Sequence, residues 1–569
     1  ILAAYKDIAA PWKELLRWYQ QKEDIKIKFE QIVSRFHSDR MVDEQSQMTR
    51  SQPSDKFSGD WKLNAVSYHD DENDSEVFKN ISLTIESHKN GFIHFPLSTG
   101  RSELAFMLSG IIQPTTGKVL IGESDFSHIS EPVLADHIAF VDDGGILNKA
   151  SLKENLLYGF YRYPLVDQVI EESDHEFIEE ALASGNLPDK FDGAWGKDGE
   201  ATDLPSDSEI LEIVRKCDFE KEIFKLGLRG KSVELDDHFM KKLLLARGKA
   251  IDLMRFDDES DMIVHFDIEQ YNAEANVGEN LLFGACTDSD LLDMDKLASN
   301  PFIYQLLERY DLFNDILDAG IRTVEIMIEL FSEVKKPNPG FQNFNIIHPH
   351  EFDHYKKISE SQRNQSELSE DDKISFINVA MRLIPARHRL GIVDKNLQAK
   401  ILSKRKVFHE SVSKHFESHF FGFELDKINP AISIQDNILF GKLVTARPEA
   451  DHLIQKHLSV LLEEIDLKKD ILKAGLTFEA GPKGQLINDN LCQKILLGRA
   501  LLKNADYMVM RDPLNGLASD KRESIIDAVL KHRKDKATLI LASENYSQKI
   551  KFDYHWQLNE SADQLILVE

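Results

Sequence analysis

Cationic side chains are in short supply. The 69 Lys and Arg are outnumbered by 97 Asp and Glu, for a formal net charge of −28. A chain this acidic lacks the basic face that a phosphate backbone requires, which argues against nucleic acid as a partner. Cysteine is equally scarce. Cys217, Cys286 and Cys492 are odd in number and widely spaced, so they form neither a disulfide framework nor a zinc pattern, and a reducing compartment is expected. No run of 18 apolar residues occurs, so no membrane-spanning helix is expected. There is no signal-peptide pattern, and the first residue is Ile1 rather than Met, which reads as a piece of a longer protein. What remains is ordinary for a folded chain: 42% of residues are hydrophobic, enough for a core, and 569 residues exceed one compact domain.

In chain order, residues 1–37 carry Leu15, Trp18, Tyr19, Ile25, Phe29 and Ile32 at helical spacing, and residues 38–56 are polar enough for a linker. WKLNAVSY and VFKNISLTIES alternate as strands around the acidic turn DDENDSE. The segment 91–122 reads as strand, loop, helix and strand, with Gly100, Arg101 and Ser102 at the start of the helix ELAFMLSGII. The stretch 493–519, QKILLGRALLKNADYMVMRDPLNGLAS, reads as a helix, a turn at 504–506 and a short strand apolar on both faces. Arg511 and Asp512 stand at the carboxyl end of that strand, where open α/β sheets place their ligands. KATLILASENYS repeats the pattern of a buried strand with a polar end, and DYHWQLNE and QLILVE close the chain as short strands.

One segment recurs three times. SLKENLLYG ends at Gly159, NVGENLLFG at Gly284 and SIQDNILFG at Gly441. The second and third follow FDIEQYNAEA and FELDKINPAI, with identical spacing from Phe266 to Asn280 and from Phe423 to Asn437. Each copy is followed by a helical pattern that is expected to end in a turn, near Gly227, Gly320 and Gly475. Residues 369–418 are strongly helical apart from a break at Pro385. ARHRLG, at 386–391, is a small basic knot that reads as a solvated helix end. His348, His350 and His354 have the spacing of no common metal site.

The stretch 493–519 resembles the part of ATP-binding cassettes that joins the LSGGQ signature, its "ARALL" helix, the Walker B strand and "ATSALD". QPTTGKVLIG at 113–122 resembles that family's "PTSGKILIDG", and IAFVDDGGILNKASLKENLLYG resembles its Q-loop frame. The resemblance covers both ends of the chain, about 250 residues. It implies an α/β, P-loop NTPase-like fold with an antiparallel β-subdomain, a RecA-like core and a helical subdomain, interrupted by a mostly helical insertion. The domains implied are a helix following an absent membrane domain (1–37), a linker (38–56), the front half of the cassette (57–160), an insertion with repeated opening units of the helical subdomain (161–422) and the back half (423–569).

The resemblance also assigns roles. Tyr68 stands where an aromatic ring stacks on adenine. Ser98, Thr99, Gly100, Arg101 and Ser102 stand in the phosphate loop, where Arg101 replaces the usual Lys and Ser102 could reach a metal. Asp143 takes the Q-loop Gln position, Asp512 the catalytic Glu position, and Glu544 or Ser543 the position of the γ-phosphate His. Asn488, Asp489 and Asn490 fall in the signature. Arg511 occupies the place of the metal-side Asp, and an Arg511–Asp512 ion pair is expected to replace Mg²⁺. Glu103 adds negative charge where phosphate would bind.

Two readings follow, and a third is a scaffold that binds partners through its acidic insertion. The first is the ATP- and Mg²⁺-binding motor of an ABC-type transporter at the cytoplasmic face of a membrane. Its partners would be a membrane domain upstream of Ile1 and a second cassette. The second is an inactive cassette with a structural or regulatory role.

Overall fold

The computed structural model describes residues 2–36, 58–70, 75–95, 100–129, 131–162, 179–180, 183, 194–195, 204–231, 237–254, 260–331, 346–347, 351–363, 368–546, 550–559 and 565–568. The linker at 38–56, Ser98, Thr99, His348 and His350 lie outside them. The fold is α/β, in two compact units: Ile1–Glu220 with Glu479–Glu569, and Lys221–Phe478. These boundaries fall at 220/221 and 478/479, whereas the sequence frame places the interruption at 161–422.

In the first unit, Leu2–Phe36 is one helix whose Trp12, Leu15, Trp18, Tyr19 and Phe29 are exposed. Two sheets follow. One is antiparallel, with strands Ser75–Ile85, Trp61–Asp70, Thr116–Ile121 and Ser124–Asp125 side by side. The other has six strands in the order Leu565–Leu567, Tyr554–Leu558, Asn90–His94, Ala537–Ala542, Tyr507–Arg511, Ile138–Asp142. All of its pairings are parallel except at the Leu565–Leu567 edge. The central strands read YMVM and ATLILA because both of their faces are covered, and every residue in those runs is buried. Trp61 of the antiparallel sheet packs edge-on against Tyr507 of the parallel one, with ring centroids 5.4 Å apart. Helix Asp489–Lys503 begins at Asn488, whose side chain accepts from Leu491 N at 2.8 Å. It ends at Asn504 in the left-handed region.

The second unit, Lys221–Phe478, is mostly helical. Its larger core gathers Leu281, Ile303, Leu307, Val324, Phe376, Ile401 and Phe408. Two points differ from the sequence reading. Gly227, Gly320 and Gly475 do not end their helices in turns. They lie inside Glu220–Arg229, Phe313–Phe331 and Lys468–Leu476. The physical reason is a close crossing: a Cβ at Gly227, Gly475 or Gly320 would collide with the carbonyl oxygen of Ile471, Ile223 or Phe376, respectively. The basic knot also differs. His388 is buried, and its Nδ1 accepts from Ile384 N at 3.0 Å. Among the described residues, no helix is long and apolar enough to cross a membrane.

Candidate functional site

The carboxyl ends of the parallel strands bring Ser102 and Asp143 to Arg511, and Asp512 to Arg101. Strand Asn90–His94 leads through 95–100 into helix Arg101–Leu108. Gly100 starts that helix with φ 85, and a side chain there would press on Val77 and Phe78. Phe78 faces Tyr68 across the antiparallel ladder, with ring centroids 6.1 Å apart, so Tyr68 stands one residue away from the start of the helix. Arg511 ends its strand in register with Asp142 on one side and Leu541 on the other.

Arg511 and Asp512 do not pair with each other. Successive residues leaving a strand point to opposite sides, and each finds an oppositely charged group elsewhere. The Arg511 guanidinium reaches Asp142 Oδ1 at 2.5 Å through Nε and Asp143 Oδ1 at 2.9 Å through Nη2, and its Nη1 donates to Ser102 Oγ. It also lies 5.5 Å from the centre of the Phe106 ring. Asp512, only 6% exposed and with φ 41, faces Arg101 Nη2 at 2.7 Å. Asp512 Oδ1 accepts from Ser543 N at 3.1 Å. Glu544 is exposed and bound to Arg522 Nη2 at 2.6 Å. Burial raises the Asp142 pKa and the neighbouring Asp143 adds to the rise, and together they outweigh the opposing pull of Arg511.

Asp142 was not singled out from the sequence. Two consecutive carboxylates at the end of a buried strand, opposite an arginine at the end of another, were the available signal. Arg522 was also missed. Asn488 caps helix Asp489–Lys503, Asp489 and Asn490 lie in its first turn, and all three are exposed. Among the described residues, they make no hydrogen bond or ion pair to Arg101, Arg511 or Asp512. Asn490 instead approaches Gly516.

The donor set does not fit Mg²⁺. A divalent cation needs carboxylate and hydroxyl oxygens free to turn toward it, and a guanidinium already uses Asp142, Asp143 and Ser102. An anion fits better. Arg101 Nε and Nη1 are buried with no hydrogen-bond partner among the described residues, although the Asp512 carboxylate faces the same guanidinium. Among the described residues there is no group of three or more His, Cys, Asp or Glu that could hold a metal ion.

No family model matches the chain. Stretches of it are similar to curated proteins. One is an ATP-dependent mitochondrial permease of Saccharomyces cerevisiae, 25% identical over 124 residues, 22% of this chain and 16% of the relative. Another is an uncharacterized ABC transporter ATP-binding protein of Bacillus subtilis, 26% identical over 146 residues, 26% of this chain and 25% of the relative. A third is the antigen peptide transporter 1 of Rattus norvegicus, 27% identical over 128 residues, 22% of this chain and 17% of the relative. The matched stretches thus span a quarter or less of these relatives. A solved bacterial Atm1-family ABC exporter with ATP bound aligns at a TM-score of 0.34 and 8% identity, covering 90% of this chain and 38% of that one. A likeness of that size leaves the fold to be argued from the strands themselves. By sequence the chain is similar, at low identity and over part of its length, to the ATP-binding and permease proteins of ABC transporters.

Proposed function

We propose that this chain is a cassette of an ABC exporter-like transporter whose metal position is filled by its own Arg511, so that it serves the transporter without Mg²⁺-dependent hydrolysis. The observation that carries this reading is the contact of one guanidinium with Asp142, Asp143 and Ser102. In the resemblance, Ser102 and the residue at 511 are the two protein groups on the metal side. Here they are joined to each other.

Several features support the cassette frame. The parallel sheet with an antiparallel neighbour, the helix starting at Arg101 and the helix preceding strand Tyr507–Arg511 follow the family's order. On this reading the first compact unit supplies the antiparallel subdomain and nucleotide-facing core, with Lys221–Phe478 as the interruption. Tyr68, Gly100 and Arg101 would meet nucleotide, together with Ser98 and Thr99. Asp512 and Glu544 take the catalytic positions but hold Arg101 and Arg522 instead. Transition-state charge would find little to stabilise it. The proposed partners are a membrane domain and a second cassette, with this module on the cytoplasmic face.

The motor reading differs in what magnesium does. Calorimetric titration of ATP into the purified chain, with and without Mg²⁺, separates the two. The silent-cassette reading expects the same weak binding in both, and an Arg101→Ala variant weaker still. Binding tightened tenfold or more by Mg²⁺, with ATP turnover, would overturn it.

A further inference from the structure

The three copies of the repeated segment are each held by an arginine, and the same contact recurs. In the first compact unit, Arg499 donates from Nε to Asn155 O at 2.7 Å and from Nη2 to Asn155 Oδ1 at 3.2 Å, with Tyr158 beneath its guanidinium. Arg405 does the same to Asn280, at 2.7 and 2.9 Å, over Phe283. Arg247 does so to Asn437, at 2.7 and 3.2 Å, over Phe440. The arginines occupy matching sites in LLLARGKA, ILSKRKVF and ILLGRALL. Within Lys221–Phe478 the match extends further. Nη1 of Arg405 donates to the carbonyls of Asp267, Ile268 and Gln270. Nη1 of Arg247 donates to those of Glu424, Leu425 and Lys427.

The order along the chain makes these contacts reciprocal. Arg247 precedes Asn280 but binds Asn437, while Arg405 precedes Asn437 but binds Asn280. Other contacts follow the same exchange. Strand Gly284–Cys286 pairs with Phe420–Gly422, and its counterpart Gly441–Leu443 pairs with Ile263–His265. Val277 N donates to Leu383 O, and its counterpart Ile434 N to Gly230 O. Counterparts Phe266 and Phe423 stack on each other, with centroids 4.0 Å apart and planes 13° apart. Counterparts Glu279 and Asp436 converge on Lys442 Nζ, at 3.3 and 2.8 Å. Lys442 has no counterpart, because Ala285 stands in the matching place.

We infer that Lys221–Phe478 is an internal dimer of one helical repeat, one copy containing Arg247 and Asn280 and the other Arg405 and Asn437. The surface through which each repeat would bind a second copy of itself is filled by the other repeat of the same chain. Lys442 supplies, from one side only, the cation that two facing carboxylates need. The partner is therefore built in, and this surface is closed to another chain.

Hydrogen exchange read by mass spectrometry on the full chain tests the exchange of contacts. Arg247→Met is expected to speed exchange at least tenfold across 424–441 and leave 267–284 unchanged. Arg405→Met is expected to give the mirror image, with 267–284 accelerated and 424–441 unchanged, and both variants keep the wild-type mass by light scattering. If a methionine variant opens the whole unit, Arg247→Lys and Arg405→Lys, which keep one donor, serve in its place with the same two mirror-image maps expected. Acceleration confined to each arginine's own repeat, or two maps that do not mirror each other, would overturn the inference.

Discussion

At the scale of single residues, Arg511 is the group on which the site turns. Removing it leaves Asp142 and Asp143 side by side, 21% and 28% exposed, and takes from them and from the Ser102 hydroxyl the guanidinium that all three contact. Arg511→Ala should therefore cost about 3 kcal/mol in urea unfolding at neutral pH, the usual result of stranding part-buried charge. The sign of the pH effect follows from Asp142. Its folded pKa is already raised, so protonation favours the folded state as pH falls through that value. Without Arg511 the rise should be larger, and the deficit of the variant should shrink as the pH is lowered toward about 4. A deficit that grows at acid pH would contradict this account. The sequence made Arg511 visible as a misplaced cation, but it suggested the wrong partner. Adjacency in sequence favours an Arg511–Asp512 pair, whereas strand geometry turns the two apart and register brings Asp142 alongside.

At the scale of elements, the helix crossings decide what the glycines do. Gly475 lies inside Lys468–Leu476 against the Ile223 carbonyl. Helix propensity alone predicts that Gly475→Ala stabilises by about 1 kcal/mol. The crossing predicts the opposite, a loss of about 2 kcal/mol as the two helices are forced apart, measured by urea unfolding. A neutral or stabilising result would refute the close approach. Spacing found these glycines because they recur, but a glycine late in a helical pattern looks the same whether it ends the helix or lets a neighbour approach. The helix starts follow a more local rule. Ser151, Ser206, Asn276 and Ser369 form capping boxes with Glu154, Glu209, Glu279 and Asp372, as local sequence dictates. Ser151→Ala should cost about 1 kcal/mol in the same assay.

At the scale of the whole molecule, both ends of the chain meet in one sheet, and the middle builds a second unit from paired repeats. The repeated NLL and NIL segments were plain in the sequence. Their arginines were not, because each lies on a separate helix far along the chain from the asparagine it binds, and an arginine in a helix ordinarily reads as surface. Lys442 gives this scale its own prediction. Glu279 and Asp436 are 14% and 15% exposed beside it. Lys442→Ala should lower stability by about 3 kcal/mol, and adding Glu279→Gln should recover more than half of that loss. No recovery would mean that the two carboxylates do not oppose each other.

The central claim is that a guanidinium occupies the metal position. Electron paramagnetic resonance of Mn²⁺ titrated into the chain with saturating ATP tests it most directly, with Arg511→Asp for comparison. The account predicts that Mn²⁺ in the wild type is no more bound than Mn²⁺ with ATP alone, and that the variant gains a protein-bound signal. A tight protein-bound Mn²⁺ in the wild type, lost in Ser102→Ala, would contradict it.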